Sequence, residues 1–266
     1  MVSFPSCKIN LGLHILNKRS DGYHNLITCF YPVPWTDILE IIPSDSMSFS
    51  STGLTIPGND NLCVKAYELL KKDFHLPPVK IHLHKLIPIG AGLGGGSSDA
   101  AYTLRSLNTL FELGISVARL QEYALMLGSD CAFFVQDDPM LGSGRGEVLS
   151  KISINLKGKF LVIIKPDIHI STVEAYAGVE LQEPPQTLEK VLALVRSDRK
   201  ALLKNDFEES IFKRHPSIKK IKEELYSLGA IYASMSGSGS ALFGIFEQEI
   251  NIKESFRGFQ KWSGFL

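Results

Sequence analysis

The residues that could do chemistry concentrate in one glycine-rich run. Gly90-Ala91-Gly92-Leu93-Gly94-Gly95-Gly96 is followed by Ser97, Ser98 and Asp99. Glycines let backbone N–H groups approach a ligand that side chains would block. A helix opening directly after them adds unsatisfied N–H donors and a partial positive charge. Together these make an anion site, most often for phosphate. The run lacks Gly-x-x-x-x-Gly-Lys-Ser/Thr, so it is not the loop of a P-loop NTPase. Gly90, Gly92 and Gly95 do fit Gly-x-Gly-x-x-Gly, but the partner acid of a dinucleotide fold is misplaced: Glu112, at the right distance, lies at a helix end. Two charged residues stand out elsewhere. Lys8 sits inside an alternating strand pattern, and Asp130 enters the apolar run Cys131–Val135. A carboxylate there is costly unless it is used.

The elements that must position these residues are legible as patterns. Ile9 to Ile15 alternates apolar and polar residues, which predicts a strand. Arg19-Ser20-Asp21-Gly22 is a turn, and strands are expected at Leu26–Tyr31, Trp35–Ile42, Met47–Leu54 and 79–85. The loop 57–61 ends in caps for a helix over 61–73. Helices are expected at 98–112, ended by Gly114, and at 117–127, closed by Gly128. Cys131–Val135 reads as a buried strand and Lys159–Lys165 as the first strand of a second domain. Helices follow near 187–196, 199–206 and 217–228, and Ser234–Phe246 holds a glycine-serine turn between two strands. Strands and helices mix without strict alternation, so the expected class is α+β with two layers in each half. A boundary near 150–158 gives domains 1–155 and 156–266. His82 and His84 lie on the polar side of the 79–85 strand and are read as strand residues rather than metal ligands.

Composition narrows the function classes. The 266 residues are 44% hydrophobic and 21% charged, enough apolar material for a core. Lys+Arg and Asp+Glu are both 28, so no basic excess points to nucleic acid. No apolar run is long enough to span a bilayer, and MVSFPSCKINLGLHIL lacks the pattern of a signal peptide. A cytoplasmic protein with four free thiols (Cys7, Cys29, Cys63, Cys131) is expected.

Pro88-Ile89-Gly90-Ala91-Gly92-Leu93-Gly94-Gly95-Gly96-Ser97-Ser98-Asp99-Ala100-Ala101 resembles the central motif of the GHMP small-molecule kinases. Ser6-Cys7-Lys8-Ile9-Asn10-Leu11 resembles their first motif, and Met235-Ser236-Gly237-Ser238-Gly239-Ser240 their third. Asp21-Gly22-Tyr23-His24, the triple glycine, Gly128-Ser129-Asp130, Asn205-Asp206-Phe207-Glu208 and His215-Pro216-Ser217-Ile218 are similar to the branch acting on a cytidine diphosphate ester of methylerythritol. Cys7, Ser129 and Cys131-Ala132 depart from the commoner residues of that branch.

The resemblance implies a two-domain GHMP-kinase-like fold. Each domain would carry a mixed or antiparallel sheet with helices packed on it, and the active site would lie in the cleft between. It implies ATP and Mg²⁺, with Asp130 as general base and Lys8 as its charged partner. ATP would be bound by Asn61, Pro88, Gly90, Gly92, Leu93, Gly94, Gly95, Gly96, Ser97 and Ser98, with Ser98 also a metal ligand. The substrate would meet Asn10, Asp130, Tyr23 and Tyr176 stacking on cytosine, and His24 at its polar edge. The acceptor would be the 2-hydroxyl of the methylerythritol, the state monomer or homodimer, with no nucleic-acid or membrane partner. Another GHMP kinase, or a silent nucleotide sensor on the same fold, are the competing readings. Helix capping competes for Ser97, Ser98 and Asn61, and an ordinary core tyrosine for Tyr176. Gly142-Ser143-Gly144-Arg145-Gly146 is given no role.

Overall fold

The computed structural model describes residues 1–266 apart from 59, 182–183, 185, 194–201 and 253. In chain order its strands are β1 (Val2–Ser3), β2 (Ser6–Lys18), β3 (His24–Thr36), β4 (Ile38–Pro43), β5 (Ser48–Gly53) and β6 (Val79–Lys85). They continue as β7 (Met140–Ser143), β8 (Val148–Lys151), β9 (Phe160–Lys165), β10 (Tyr232–Met235), β11 (Leu242–Phe246) and β12 (Gln260–Phe265). The helices are α1 (Leu62–Phe74), α2 (Gly95–Leu110), α3 (Val117–Leu127), α4 (Thr172–Tyr176), α5 (Leu188–Ala193), α6 (Phe207–Arg214) and α7 (Pro216–Ser227). None of the described helices is long and apolar enough to cross a membrane.

The chain divides into two compact units, neither of them one continuous stretch. The first comprises Met1–Lys8, Trp35–Ile89 and Gly94–Asp138; the second comprises Ile9–Pro34, Gly90–Leu93 and Pro139–Leu266. Residues 9–34 and 139–155, on the N-terminal side of the expected 150–158 boundary, thus group with the C-terminal half. The reason is sheet pairing: β2, β3, β7 and β8 are consecutive neighbours in one sheet.

The first unit is built on the sheet β1-β4-β6-β5, in which β5 runs parallel to β6 and the other pairs are antiparallel. Val79, Ile81 and Leu83 of β6 point inward, and the alternate positions face out. On that outer side His82 bonds the hydroxyls of Ser50 and Thr52, and His84 bonds Thr52, as strand residues would. Helix α2 packs on β4 and between α1 and α3, burying Ala100, Ala101, Leu104 and Leu107. Its stripe recurs at helical period, so burial of these side chains stabilises helix and sheet together.

The second unit adds the antiparallel sheet β10-β11-β9-β12. Helix α7 packs on β10 and β11. The core joins Val162 and Ile164 of β9, Leu242 and Phe246 of β11, and Ile218, Ile221 and Leu225 of α7. All four cysteines are free and buried.

Several expectations need correction. Cys131–Val135 is not a strand: Phe133–Val135 forms a 3-10 turn, with Phe134 N bonded to Cys131 O at 3.2 Å and Val135 N to Ala132 O at 3.3 Å. The turn packs on α2 and α3, so all five residues are buried on every side and carry no period. The expected strand 35–42 breaks at Asp37, whose carboxylate is taken by other groups. The expected helix 98–112 begins three residues earlier, at Gly95. The end of the expected helix 187–196 and the start of that at 199–206 fall outside the described residues, as does Asn59. Asn205 is not helical; it bridges Leu13, and the next helix starts at Phe207. Asn and Asp side chains there bond distant backbone, which competes with helix formation.

Candidate active site

In the first unit the two residues expected to react, Lys8 and Asp130, sit side by side. Lys8, 3% exposed, places Nζ 3.7 Å from Asp130 Oδ2, and the Asp130 side chain is one-third exposed. The ammonium of Lys8 is held below the usual lysine range by burial, and the Asp130 carboxylate partly restores it. Gly94 begins α2 at φ 71° and lies against the pair: a Cβ there would stand 2.8 Å from Phe134 Cζ and 3.3 Å from Lys8 Cε. Gly95 is as tight, with a Cβ 2.8 Å from Ile87 and 3.0 Å from Lys85 Nζ.

Helix α2 starts without a side-chain cap. Ser97 and Ser98 fall within its first turn, so neither caps it. Ser98 is fully buried, and its Oγ and Asp99 Oδ1 are the two buried side-chain polar atoms with no hydrogen-bond partner among the described residues. Such atoms are costly unless something else meets them. Asn61, by contrast, does cap: its Oδ1 accepts from Cys63 N at 2.8 Å at the start of α1. Pro88 is buried in the approach to the loop.

A buried triad fastens this helix to the sheet. Lys85, the last residue of β6, donates to Asp37 Oδ2 and to Asp99 Oδ2, the latter at 2.6 Å. Asp37 Oδ1 accepts from Leu86 N at 2.6 Å and Ile87 N at 2.9 Å, fixing the chain that enters the glycine loop. Burial, with Asp37 nearby, pushes the Asp99 carboxyl up to about 7 against the pull of Lys85. Sequence patterns missed this triad, because Asp37 and Lys85 are far apart in the chain and sit in unremarked polar positions.

The second unit holds the other half of the loop. Ser236 Oγ donates to Gly92 O at 2.9 Å, and Ala241 N to Ala91 O at 3.1 Å. Gly92 has φ 78°, and a Cβ on it would lie 2.0 Å from Ser236 O. Gly90, also at positive φ, faces His169. Asn10, two residues along β2 from Lys8, is buried. It donates to Thr28 Oγ1 at 2.9 Å and accepts from Ser236 Oγ at 3.4 Å. Thr28 in turn donates to Gly12 O at 2.5 Å. Its hydroxyl at an inward position of β3 was a signal left unread.

Tyr23 is 57% exposed, and its N–H is turned by a bond to Asp21 Oδ1 at 3.1 Å. The guanidinium of Arg145 lies over its ring, 5.0 Å from the centroid. The 142–146 loop therefore reaches the tyrosine, which its sequence alone did not indicate. Leu26 N bonds Gly144 O at 2.7 Å and holds that loop in place. His24 stacks on Tyr176 with centroids 4.8 Å apart. Tyr176 also meets Phe207 edge-on at 4.9 Å, so it is half core and half surface rather than an ordinary core tyrosine.

One consequence is a contrast between two glycines. Gly92→Ala meets backbone at 2.0 Å and a positive φ, which alone costs about 1–2 kcal/mol. It is expected to lower Tm and to abolish measurable ATP binding. Gly96→Ala meets only Leu62 Cδ1 at 3.8 Å, inside a helix, and is expected to gain up to about 1 kcal/mol of stability. Thermal melts and ATP titration of the two variants check this; equal behaviour would refute the packing argument.

Residues 61–137 match the family described as GHMP kinases N terminal domain, and residues 188–260 the family described as GHMP kinases C terminal. A small-molecule kinase of that class is what the resemblance of the three motifs implied. Two relatives are named 4-diphosphocytidyl-2-C-methyl-D-erythritol kinase. That of Cytophaga hutchinsonii is 53% identical, over 92% of this chain and 92% of its own. That of Bacteroides thetaiotaomicron is 51% identical, over 96% and 95%. A crystal structure of 4-(cytidine 5'-diphospho)-2C-methyl-D-erythritol kinase matches with a TM-score of 0.86 at 31% identity, covering 99% of this chain and 98% of that one. The chain belongs to the 4-diphosphocytidyl-2-C-methyl-D-erythritol kinase family.

Proposed function

We propose that the chain transfers the γ-phosphoryl group of ATP to the 2-hydroxyl of 4-diphosphocytidyl-2-C-methyl-D-erythritol, a step in non-mevalonate isoprenoid precursor synthesis. The observation that carries this reading is the buried Lys8 paired with a half-open Asp130 at the start of α2. Phosphoryl transfer asks mainly for positioning and charge neutralisation, plus help with the nucleophile's proton. Asp130 accepts the proton of the attacking hydroxyl. Lys8, 3.7 Å away, orients that carboxylate and meets charge on the transferring phosphoryl group.

Backbone N–H groups of Gly90, Gly92, Leu93, Gly94, Gly95 and Gly96 line the phosphates, and Ser97 adds a hydroxyl. Ser98 N already bonds Gly94 O at 2.9 Å, while the N–H groups of Gly95, Gly96 and Ser97 open the helix with no carbonyl one turn back, which leaves them for an anion. Asn61 and Pro88 border the adenine. Mg²⁺ fits the donor set at one point: the buried, unpartnered hydroxyl of Ser98. No cluster of three or more His, Cys, Asp or Glu residues suited to a metal occurs among the described residues. The ion, when bound, would draw its other ligands from ATP phosphates and water, and would neutralise phosphate charge.

Tyr23 stacks on the cytosine, His24 and Tyr176 form the second aromatic wall, and Asn10 bonds the methylerythritol hydroxyls. The enzyme works on soluble substrates in the cytoplasm, as a monomer or homodimer. Tyr23→Ala is expected to weaken the cytidyl substrate by about 1–3 kcal/mol, the scale of base–aromatic stacking. ATP affinity should stay unchanged; an equal loss for both ligands would make the tyrosine structural. The reading as a whole is tested by ADP release from Mg-ATP with the cytidyl ester, mevalonate, homoserine and galactose in turn. Release with the cytidyl ester alone is expected, and release with another alcohol instead would overturn the substrate.

A further inference from the structure

The run Asn205-Asp206-Phe207-Glu208 has no part in the chemistry above, yet its side chains are committed to three pieces of the second unit. Asn205, 3% exposed, donates from Nδ2 to Met235 O and Gly237 O, both at 2.8 Å. Glu208 Oε1 accepts from Met235 N at 2.8 Å and from Ser234 Oγ at 3.0 Å. Between them they fix the start of the glycine-serine turn after β10. That turn holds the Ala91 and Gly92 carbonyls through Ala241 N and Ser236 Oγ.

Asp206 works in the other direction. Its Oδ2 accepts from Ile15 N at 2.8 Å and its Oδ1 meets His14 Nδ1 at 3.2 Å. Its own N–H bonds Leu13 O at 2.9 Å, and Leu13 N bonds Lys204 O at 2.8 Å. This ties the run to β2, the strand that carries Asn10. Asp206 stands at the N-cap of α6 but makes no capping bond there. A carboxylate serving only its own helix would bond the N–H groups of the first turn. Phe207 lies edge-on to Tyr176, which stacks on His24.

We propose that Asn205–Glu208 is the positioning element of this kinase, setting the Gly90–Leu93 part of the phosphate loop through the glycine-serine turn and the base-binding aromatics through Phe207. The proposal rests on the functional reading above for what those two places bind. Buried polar groups that are fully satisfied specify one geometry, and losing a partner leaves the other group unmet.

The test uses the full chain and two probes: a non-hydrolysable ATP analogue for the phosphate loop and CDP for the base pocket. Asn205→Asp keeps the shape but replaces two N–H donors by an oxygen facing two carbonyls. It is expected to weaken the ATP analogue at least about tenfold, since small misplacements of binding groups cost that much or more. Phe207→Leu is expected to weaken CDP about tenfold and the ATP analogue by less than about twofold on the same grounds. Should Asn205→Asp fail to fold, Glu208→Gln takes its place, with weaker ATP-analogue binding and unchanged CDP binding expected. Variants that melt at lower temperature while both dissociation constants hold would make the run merely structural and overturn the proposal. A wild-type chain that ignores CDP would sink the cytidine reading, while the ATP-analogue arm would still decide the positioning role.

Discussion

Asp130→Asn is expected to lower kcat by about 10²–10⁴-fold, the contribution of a positioned general base, with ATP affinity unchanged. The reason lies in the local geometry. Asp130 follows the Gly128–Ser129 turn and precedes the 3-10 turn Phe133–Val135, whose burial fixes where the carboxylate emerges. Its Oδ2 is 3.7 Å from the Lys8 ammonium, close enough for charge coupling, and its one-third exposure leaves room for a substrate hydroxyl. An amide has the same shape and fills the same space, but it cannot take a proton. Binding measured by titration and turnover measured by ADP release separate the two effects. Full activity in the variant would remove Asp130 from the chemistry.

Lys8→Met comes next in size. Methionine replaces the buried stem and removes the charge, and a loss of about 10²–10³ in kcat is expected, as for one electrostatic contact to the transition state. The proposed role of Lys8 also predicts a pH dependence. Burial lowers its proton affinity below that of an ordinary lysine, and Asp130 opposes this only in part. In the proposed role the active form is the ammonium. Activity is therefore present below the lowered pKa and lost as pH rises through it, earlier than a solvent-exposed lysine would allow. Lys8→Arg, whose charge persists to higher pH, is expected to be slower yet to move that alkaline limb upward. A kcat profile unchanged in shape between wild type and Lys8→Arg would show that Lys8 does not govern it.

The sequence made the strongly periodic elements plain. The 79–85 strand, the 117–127 helix and the helix after Asn61 all stand where apolar spacing put them. The glycine loop was legible because so many glycines before a helix have few other uses. Its helix begins earlier than the serines suggested, because Gly94 at φ 71° starts it without a side-chain cap. Ser98 is thereby left unpartnered instead of capping. Cys131–Val135 misled because a run buried on all sides has no period to read. Asn205 and Asp206 misled for a related reason: their side chains bond strands far away in sequence, which no local pattern records. The same holds for Lys85 with Asp37 and Asp99, and for Arg145 over Tyr23. The short α4 carried too few residues to register, although it delivers Tyr176, and the final strand β12 buries none of its residues and so carries no apolar alternation.

The most direct measurement is the phosphorus NMR spectrum of the cytidyl ester after incubation with Mg-ATP and the purified chain. A new phosphate monoester on the 2-hydroxyl, with the diphosphate pair intact and ADP formed in equal amount, is the expected result. ADP formed without a monoester, or a monoester on a different hydroxyl, would contradict the assignment of substrate and acceptor.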